Sequence, residues 1–164
     1  MREPSDSAAA AAEILDAAGV EWALIGGLAA LRYRATPRLT VDADFLASRD
    51  PALAAAFRAA GYEVSEVGDP GEEPHLLLVR GHGDVIDVLL SVVDYQDVAL
   101  RRAVDHVLTV EDVIVHKLIA WRPRDRNDIA SILETGIPLD EDYIAEWAER
   151  WEVTERWAEA RASR

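Results

Sequence analysis

Between Glu21 and Ser91, glycine, proline and aspartate cut the chain into short apolar runs, and this punctuation limits the fold more than any other feature. Glu21–Ile25 (EWALI) is strand-length and stops at Gly26-Gly27; Leu28–Tyr33 then returns to helical character. Thr40–Ala47 (TVDADFLA) alternates, which predicts a strand with Val41, Ala43 and Phe45 on one face and Thr40, Asp42, Asp44 and Leu46 on the other. Asp50-Pro51 opens a helix that runs to Ala60 and stops at Gly61. Tyr62–Val67, His75–Arg80 and Asp84–Ser91 read as three strands, the last two joined by a tight hairpin at Gly81-His82-Gly83. Ahead of all these, Ser5-Asp6-Ser7 cap a helix that reaches Ala18 and ends at Gly19. The order predicts an α+β fold: a mixed β-sheet with helices packed on one face.

From Thr109 onward the pattern is helical. Thr109–Asp112 forms a capping box for a helix to about Trp121, and Pro123 breaks it. Asp125–Glu134 is a second helix ended by Gly136, and Asp140–Arg161 forms one or two more, with Trp147, Trp151 and Trp157 expected in the core or at an interface. The expected division is a core over residues 1–104 and a C-terminal helical region over 105–164, packed as a single unit. The tryptophans leave room for a homodimer.

Composition narrows the function classes. Seventeen basic against 31 acidic residues give a net charge of −14, which argues against coating a nucleic acid or an anionic membrane by bulk electrostatics. The absence of cysteine removes disulfides, thiolate nucleophiles and cysteine-ligated metals. Four histidines, at 75, 82, 106 and 116, show no zinc spacing. No apolar run reaches bilayer length, so no membrane partner and a cytoplasmic location are expected. Of the 17 basic residues 16 are Arg; Lys117 stands alone, as it would where a compact ammonium is needed and a planar guanidinium does not serve.

The acids supply the chemistry. Asp42 and Asp44, one residue apart in a strand, emerge on one face, and like charges that close call for a neutralising cation. Asp87 lies among apolar neighbours in a second strand; if the two strands adjoin, three carboxylates converge as two-metal phosphoryl transfer requires. Gly26-Gly27, at a strand-to-helix junction one short helix earlier, offers backbone N–H groups to phosphate. Arg32, Arg34 and Arg38 follow it, and Arg122, Arg124 and Arg126 add cations from the helical region.

Gly26-Gly27, then Arg38-x-Thr40-x-Asp42-x-Asp44, then Asp87 resembles the nucleotidyltransferase superfamily with the DNA-polymerase-beta-type fold. The stretch Val113–Ile129 resembles its AbiEii-type branch, which includes toxin nucleotidyltransferases, through Lys117, Arg122, Asp125 and Asp128. The resemblance implies two Mg²⁺ ions, with Mn²⁺ as a substitute, on Asp42, Asp44 and Asp87. It implies a Gly26-Gly27 cradle for the β/γ-phosphates, Arg38 and Thr40 beside it, and Lys117 on the triphosphate. Asp125 and Asp128 would orient Lys117 or the arginines, or touch the nucleoside. The implied reaction moves a nucleoside monophosphate from a nucleoside triphosphate to an acceptor hydroxyl and releases pyrophosphate. The acceptor stays open among tRNA, protein and small molecule, as does a cognate antitoxin or toxin partner. An antibiotic nucleotidyltransferase for aminoglycoside-like acceptors and a non-catalytic antitoxin-like module are the rival readings.

Overall fold

The computed structural model describes residues 2–162. The chain opens with α1 (Pro4–Ala18), whose first turn accommodates Pro4 and whose end is closed by Gly19 at φ 70°. There follow β1 (Trp22–Leu24), α2 (Gly26–Leu31), β2 (Ala43–Ala47), α3 (Leu53–Ala59), β3 (Glu63–Val67), β4 (Leu76–Gly81) and β5 (Asp84–Leu90). The helical region comprises α4 (Asp94–Arg102), α5 (Val110–Ala120), α6 (Pro123–Glu134), α7 (Glu141–Arg150) and α8 (Thr154–Ala162). Among the described residues no helix is long and apolar enough to cross a membrane.

The five strands form one sheet in the order β1-β2-β5-β4-β3. β2 and β5 run parallel and the other neighbours antiparallel, so the sheet is mixed, as expected. β4 and β5 form the anticipated hairpin, with Gly81 opposite Asp84 and both loop residues, His82 and Gly83, at positive φ. β1 lies at the sheet edge, and the returning chain covers it: Leu24 N–H donates to His106 O (2.7 Å) and Leu108 N–H to Leu24 O (3.2 Å).

The sheet divides two apolar clusters. On one face Ala11 and Leu15 of α1 and Leu53 and Phe57 of α3 pack on Phe45, Leu77, Val79, Ile86 and Val88. On the other face Leu46 joins α2, α4 and the C-terminal helices, including Ile114, Leu118, Ile132, Trp147 and Trp157. That second cluster ties the helical region to the sheet, and both Trp147 and Trp157 are core residues within it.

Three local differences matter for the site. β2 begins at Ala43 rather than Thr40, because β1 ends at Leu24 and leaves residues 40–42 without an antiparallel neighbour. α2 begins at Gly26 itself rather than at Leu28, directly after Ile25, so the glycines form its first turn. α4 was not foreseen: its apolar positions Tyr95, Ala99 and Leu100 are hidden among acids and Gln96, whose Oε1 accepts the Val92 (2.7 Å) and Val93 (3.2 Å) N–H groups and starts the helix.

Candidate active site

The site forms where β1 turns into α2 beside the start of β2. Ile25 N–H donates to Asp44 O at 3.0 Å and fixes this junction. Gly26 sits at φ 62°, and a Cβ there would come within 2.6 Å of Asp44 Cγ. A Cβ on Gly27 would lie 2.5 Å from Thr40 Oγ1 and 3.1 Å from Arg38 Nη2. The two glycines are therefore the floor against which Asp44, Thr40 and Arg38 close.

Asp44 and Asp87 are direct partners across the parallel β2–β5 pair, so their side chains leave the same face at adjacent-strand spacing, about 4.8 Å. Asp42 precedes the strand and is held by Thr40, whose hydroxyl donates to Asp42 Oδ1 at 2.9 Å. The pairing of the acids thus comes from a loop and two strands, not from one alternating strand. Burial, reinforced by the charges of Asp42 and Asp87, pushes the Asp44 carboxyl up to about 6, against the Gly27 backbone N–H and the Lys117 charge. Asp87 has its own neighbour: Arg80 Nη2 lies 2.8 Å from Asp87 Oδ1. That oxygen is nevertheless buried without a hydrogen bond, so the contact is an ion pair of poor directionality.

A second, fully compensated cluster borders the first. The buried Lys117 Nζ lies 3.1 Å from Asp125 Oδ1 and 2.7 Å from Asp128 Oδ2. Arg38 grips Asp128 with two bonds, Nε to Oδ1 (2.7 Å) and Nη2 to Oδ2 (2.9 Å), and Arg34 also pairs with Asp128. Arg122 donates its backbone N–H (3.0 Å) and Nε (2.7 Å) to Asp125. Burial raises both aspartates, but the hydrogen bonds and charges of these cations outweigh it and hold Asp125 and Asp128 below the usual carboxylate range. The loop after α2, α5 and α6 are locked together at this point.

Of the six arginines expected near the acids, Arg34, Arg38 and Arg122 join the cluster. Arg32 instead faces Asp105 (3.5 Å), Arg126 leans over the Trp121 ring (5.6 Å), and Arg124 is exposed on α6. His116 turns away from the site toward Tyr95, and burial pushes its imidazole down to about 4. Arg80 was not anticipated. The signal was its place at the end of the run His75–Arg80, where alternation puts it on the same sheet face as Leu78, the cross-strand partner of Asp87.

Among the described residues no three carboxylate or imidazole groups converge on one point as a closed cage for a metal ion. The chemistry of the donors nonetheless suits a hard divalent cation at the Asp42–Asp44 pair. Asp44 is driven toward its neutral form by burial and like charge, a cost that a cation removes, and Asp87 keeps one buried oxygen without a hydrogen bond.

No protein-family model matches the chain, and no curated protein matches it in sequence. Solved structures do. ANT(2″)-Ia, in complex with adenylyl-2″-tobramycin, superposes with a TM-score of 0.57 over 90% of this chain and 94% of its own, at 14% identity. A solution structure of antibiotic-resistance factor ANT(2″)-Ia gives 0.53 over 93% and 90%, at 17% identity. An antigenic nucleotidyltransferase-like protein from Paracoccidioides brasiliensis gives 0.49 over 98% and 92%, at 18% identity. The chain shares the α+β fold of ANT(2″)-Ia, built here on a five-stranded mixed sheet.

Proposed function

We propose that the chain is a nucleotidyltransferase that moves a nucleoside monophosphate from a nucleoside triphosphate to an acceptor hydroxyl. The observation that carries this reading is the cross-strand pairing of Asp44 with Asp87, directly above the Gly26-Gly27 turn. A half-buried acid facing another acid is costly to a fold unless a charged ligand balances it. The resemblance of Val113–Ile129 to the AbiEii-type branch is supported by the Lys117–Asp125–Asp128 cluster, and a toxin–antitoxin role is the finer reading that goes with it.

Asp42 and Asp44 would hold Mg²⁺, or Mn²⁺ in its place, with Asp87 completing the site; bound there, the cation would neutralise phosphate charge and favour departure of pyrophosphate. The chain's own residues do the rest. The Gly26-Gly27 backbone would offer N–H groups to the triphosphate, its missing side chains leaving room for Asp44, Thr40 and Arg38 to close on the turn. Asp125 and Asp128 take two of the three Nζ donors of Lys117, leaving one for a phosphate oxygen. Arg38, anchored by Asp128, and Arg122, anchored by Asp125, add positive charge, while Thr40 fixes the aim of Asp42. The acceptor oxygen forms a bond to the α-phosphorus, its proton passes to Asp87, and the bond to pyrophosphate breaks. Catalysis on these terms is positioning and charge neutralisation.

The test incubates wild type and Asp44→Asn with each α-³²P nucleoside triphosphate and Mg²⁺, with cell RNA, cell protein and small molecules as separate acceptors. Label entering one fraction with wild type alone is the expected result. No label and no Mg²⁺-dependent nucleotide binding would leave a non-catalytic partner-binding module.

A further inference from the structure

The sheet face that carries Asp44 and Asp87 is covered by helices over only part of its width. Direct cross-strand partners point the same way, so Val85 of β5 and Leu76, Leu78 and Arg80 of β4 share this face with the two acids. Among the described residues, Leu76, Leu78 and Val85 belong to neither apolar cluster and are half-buried. Their buried neighbours Leu77, Val79 and Ile86 point to the opposite face, under α1 and α3. An apolar strip thus runs from Asp87 across β4, open to solvent and continuous with the catalytic carboxylates.

Arg80 sets the charge of this strip. Its Nη1 donates to Val79 O (2.9 Å) and Ile86 O (2.6 Å), which lays the guanidinium flat along the sheet. Its Nη2 faces Asp87, with 40% of the Arg80 side chain and 28% of the Asp87 side chain exposed. The acid nearest the strip is therefore already paired, Asp44 and Asp42 beyond it are the acids given to the cation, and Glu63 stands at the far edge opposite Arg80. A surface for a polycation would need several carboxylates left free of cations. This face has leucine, valine and a fixed arginine instead.

We propose that the strip binds the acceptor, and that the acceptor is a hydroxyl compound with an apolar body and no cluster of positive charges, Arg80 being the residue that turns polycations away. The inference rests on the nucleotidyl-transfer reading and adds the acceptor class. Apolar area laid on Leu76, Leu78 and Val85 is removed from water, which favours an acceptor with an apolar body. An ammonium group brought to Asp87 meets the Arg80 guanidinium first.

Two probes separate the classes. Hexyl β-D-glucoside is uncharged with an apolar chain, and tobramycin is a polycation. Each is titrated into the full chain with Mg²⁺ and a non-hydrolysable ATP analogue, and label transfer from α-³²P-ATP is read in parallel. The glucoside is expected to bind and tobramycin not to. Leu78→Ser should weaken the glucoside roughly fivefold, and Arg80→Glu should bring tobramycin into measurable binding. Circular dichroism checks each variant, and Val85→Thr carries the same test where Leu78→Ser does not fold. Wild-type binding or labelling of tobramycin in preference to the glucoside overturns the proposal, as does glucoside binding indifferent to Leu78 and Val85. Failure of wild type to bind the ATP analogue appears before any acceptor is added, and overturns the underlying reading itself.

Discussion

Asp44 and Asp112 are both enclosed acids, and the fold treats them in opposite ways. Asp112, at 0% exposure, accepts hydrogen bonds from Tyr95 Oη (3.0 Å), Tyr143 Oη (2.6 Å), Thr109 Oγ1 (2.8 Å) and Arg102 Nε (3.1 Å). Those partners come from α4, α5 with its cap, and α7, so the carboxylate stitches three helices together. Asp44 is less buried, yet its neighbours are Asp42 and Asp87, and its carboxyl is pushed up to about 6. A satisfied buried acid is architecture; an acid the fold leaves under-compensated is a candidate for a functional site.

Exchanging each acid for its amide breaks or sharpens this contrast. Asp44→Asn should cost nucleotidyl transfer about a thousandfold or more, on the scale of losing a principal charge-stabilising group, while the chain still folds. Asp112→Asn should do the reverse. It leaves Tyr95, Tyr143 and Arg102 facing an amide that cannot accept all their bonds, and should lower stability by about 3 kcal/mol, read as a fall in the midpoint of denaturant unfolding. If Asp44→Asn were the unfolding variant, Asp44 would be a structural acid and the contrast would collapse.

How much of this was readable beforehand follows from what each residue depends on. Asp44 stood out because Asp42 lies two positions before it, Asp87 because an acid in an apolar run needs a partner, and Lys117 because it is the only lysine. The register that puts Asp44 opposite Asp87 depends on a parallel pairing between strands separated by α3, β3 and β4, which local pattern does not encode. Asp42 reached the site by another route than alternation, since it lies before the strand and is turned by Thr40. Asp112 read as a capping residue, and its N–H does approach Thr109 Oγ1 at 3.4 Å. Its role as a hub needed Tyr95 on a helix the pattern concealed, and Tyr143 from a helix beyond α6. Arg80 was missed for the same reason: its meaning comes from Asp87 across the hairpin.

The lysine cluster lies between the two extremes, compensated within itself yet facing the acids. Lys117→Arg should lower transfer by about 10–100-fold, because a guanidinium is too long and planar for the buried space between Asp125 and Asp128. Stability should change less than in Asp112→Asn, since Arg34, Arg38 and Arg122 still hold both aspartates. Single-turnover kinetics against nucleotide concentration read the loss. Full activity in Lys117→Arg would place the lysine among structural ions, on the side of Asp112.

The smallest expected effect separates the two acids without any substrate. The Asp44 carboxyl stands at about 6 in the folded chain against 3.8 for an ordinary aspartate, so the folded state holds this proton more tightly than the unfolded one. Stability from this group is full at low pH, falls as pH rises from about 4 to about 6, and stays reduced above that. Asp125 and Asp128 have the opposite sign: held below the usual range, they stabilise above about pH 4 and that contribution is lost as pH falls. Subtracting wild type from Asp44→Asn cancels the second pair and isolates the first. The variant should gain about 1–2 kcal/mol over wild type near pH 7.5, after discounting for partial exposure, and little near pH 4. Urea unfolding at both pH values measures it. A gain that does not change with pH would mean that Asp44 is ionised at no cost, as fully answered by its surroundings as Asp112 is by the two tyrosines and Arg102.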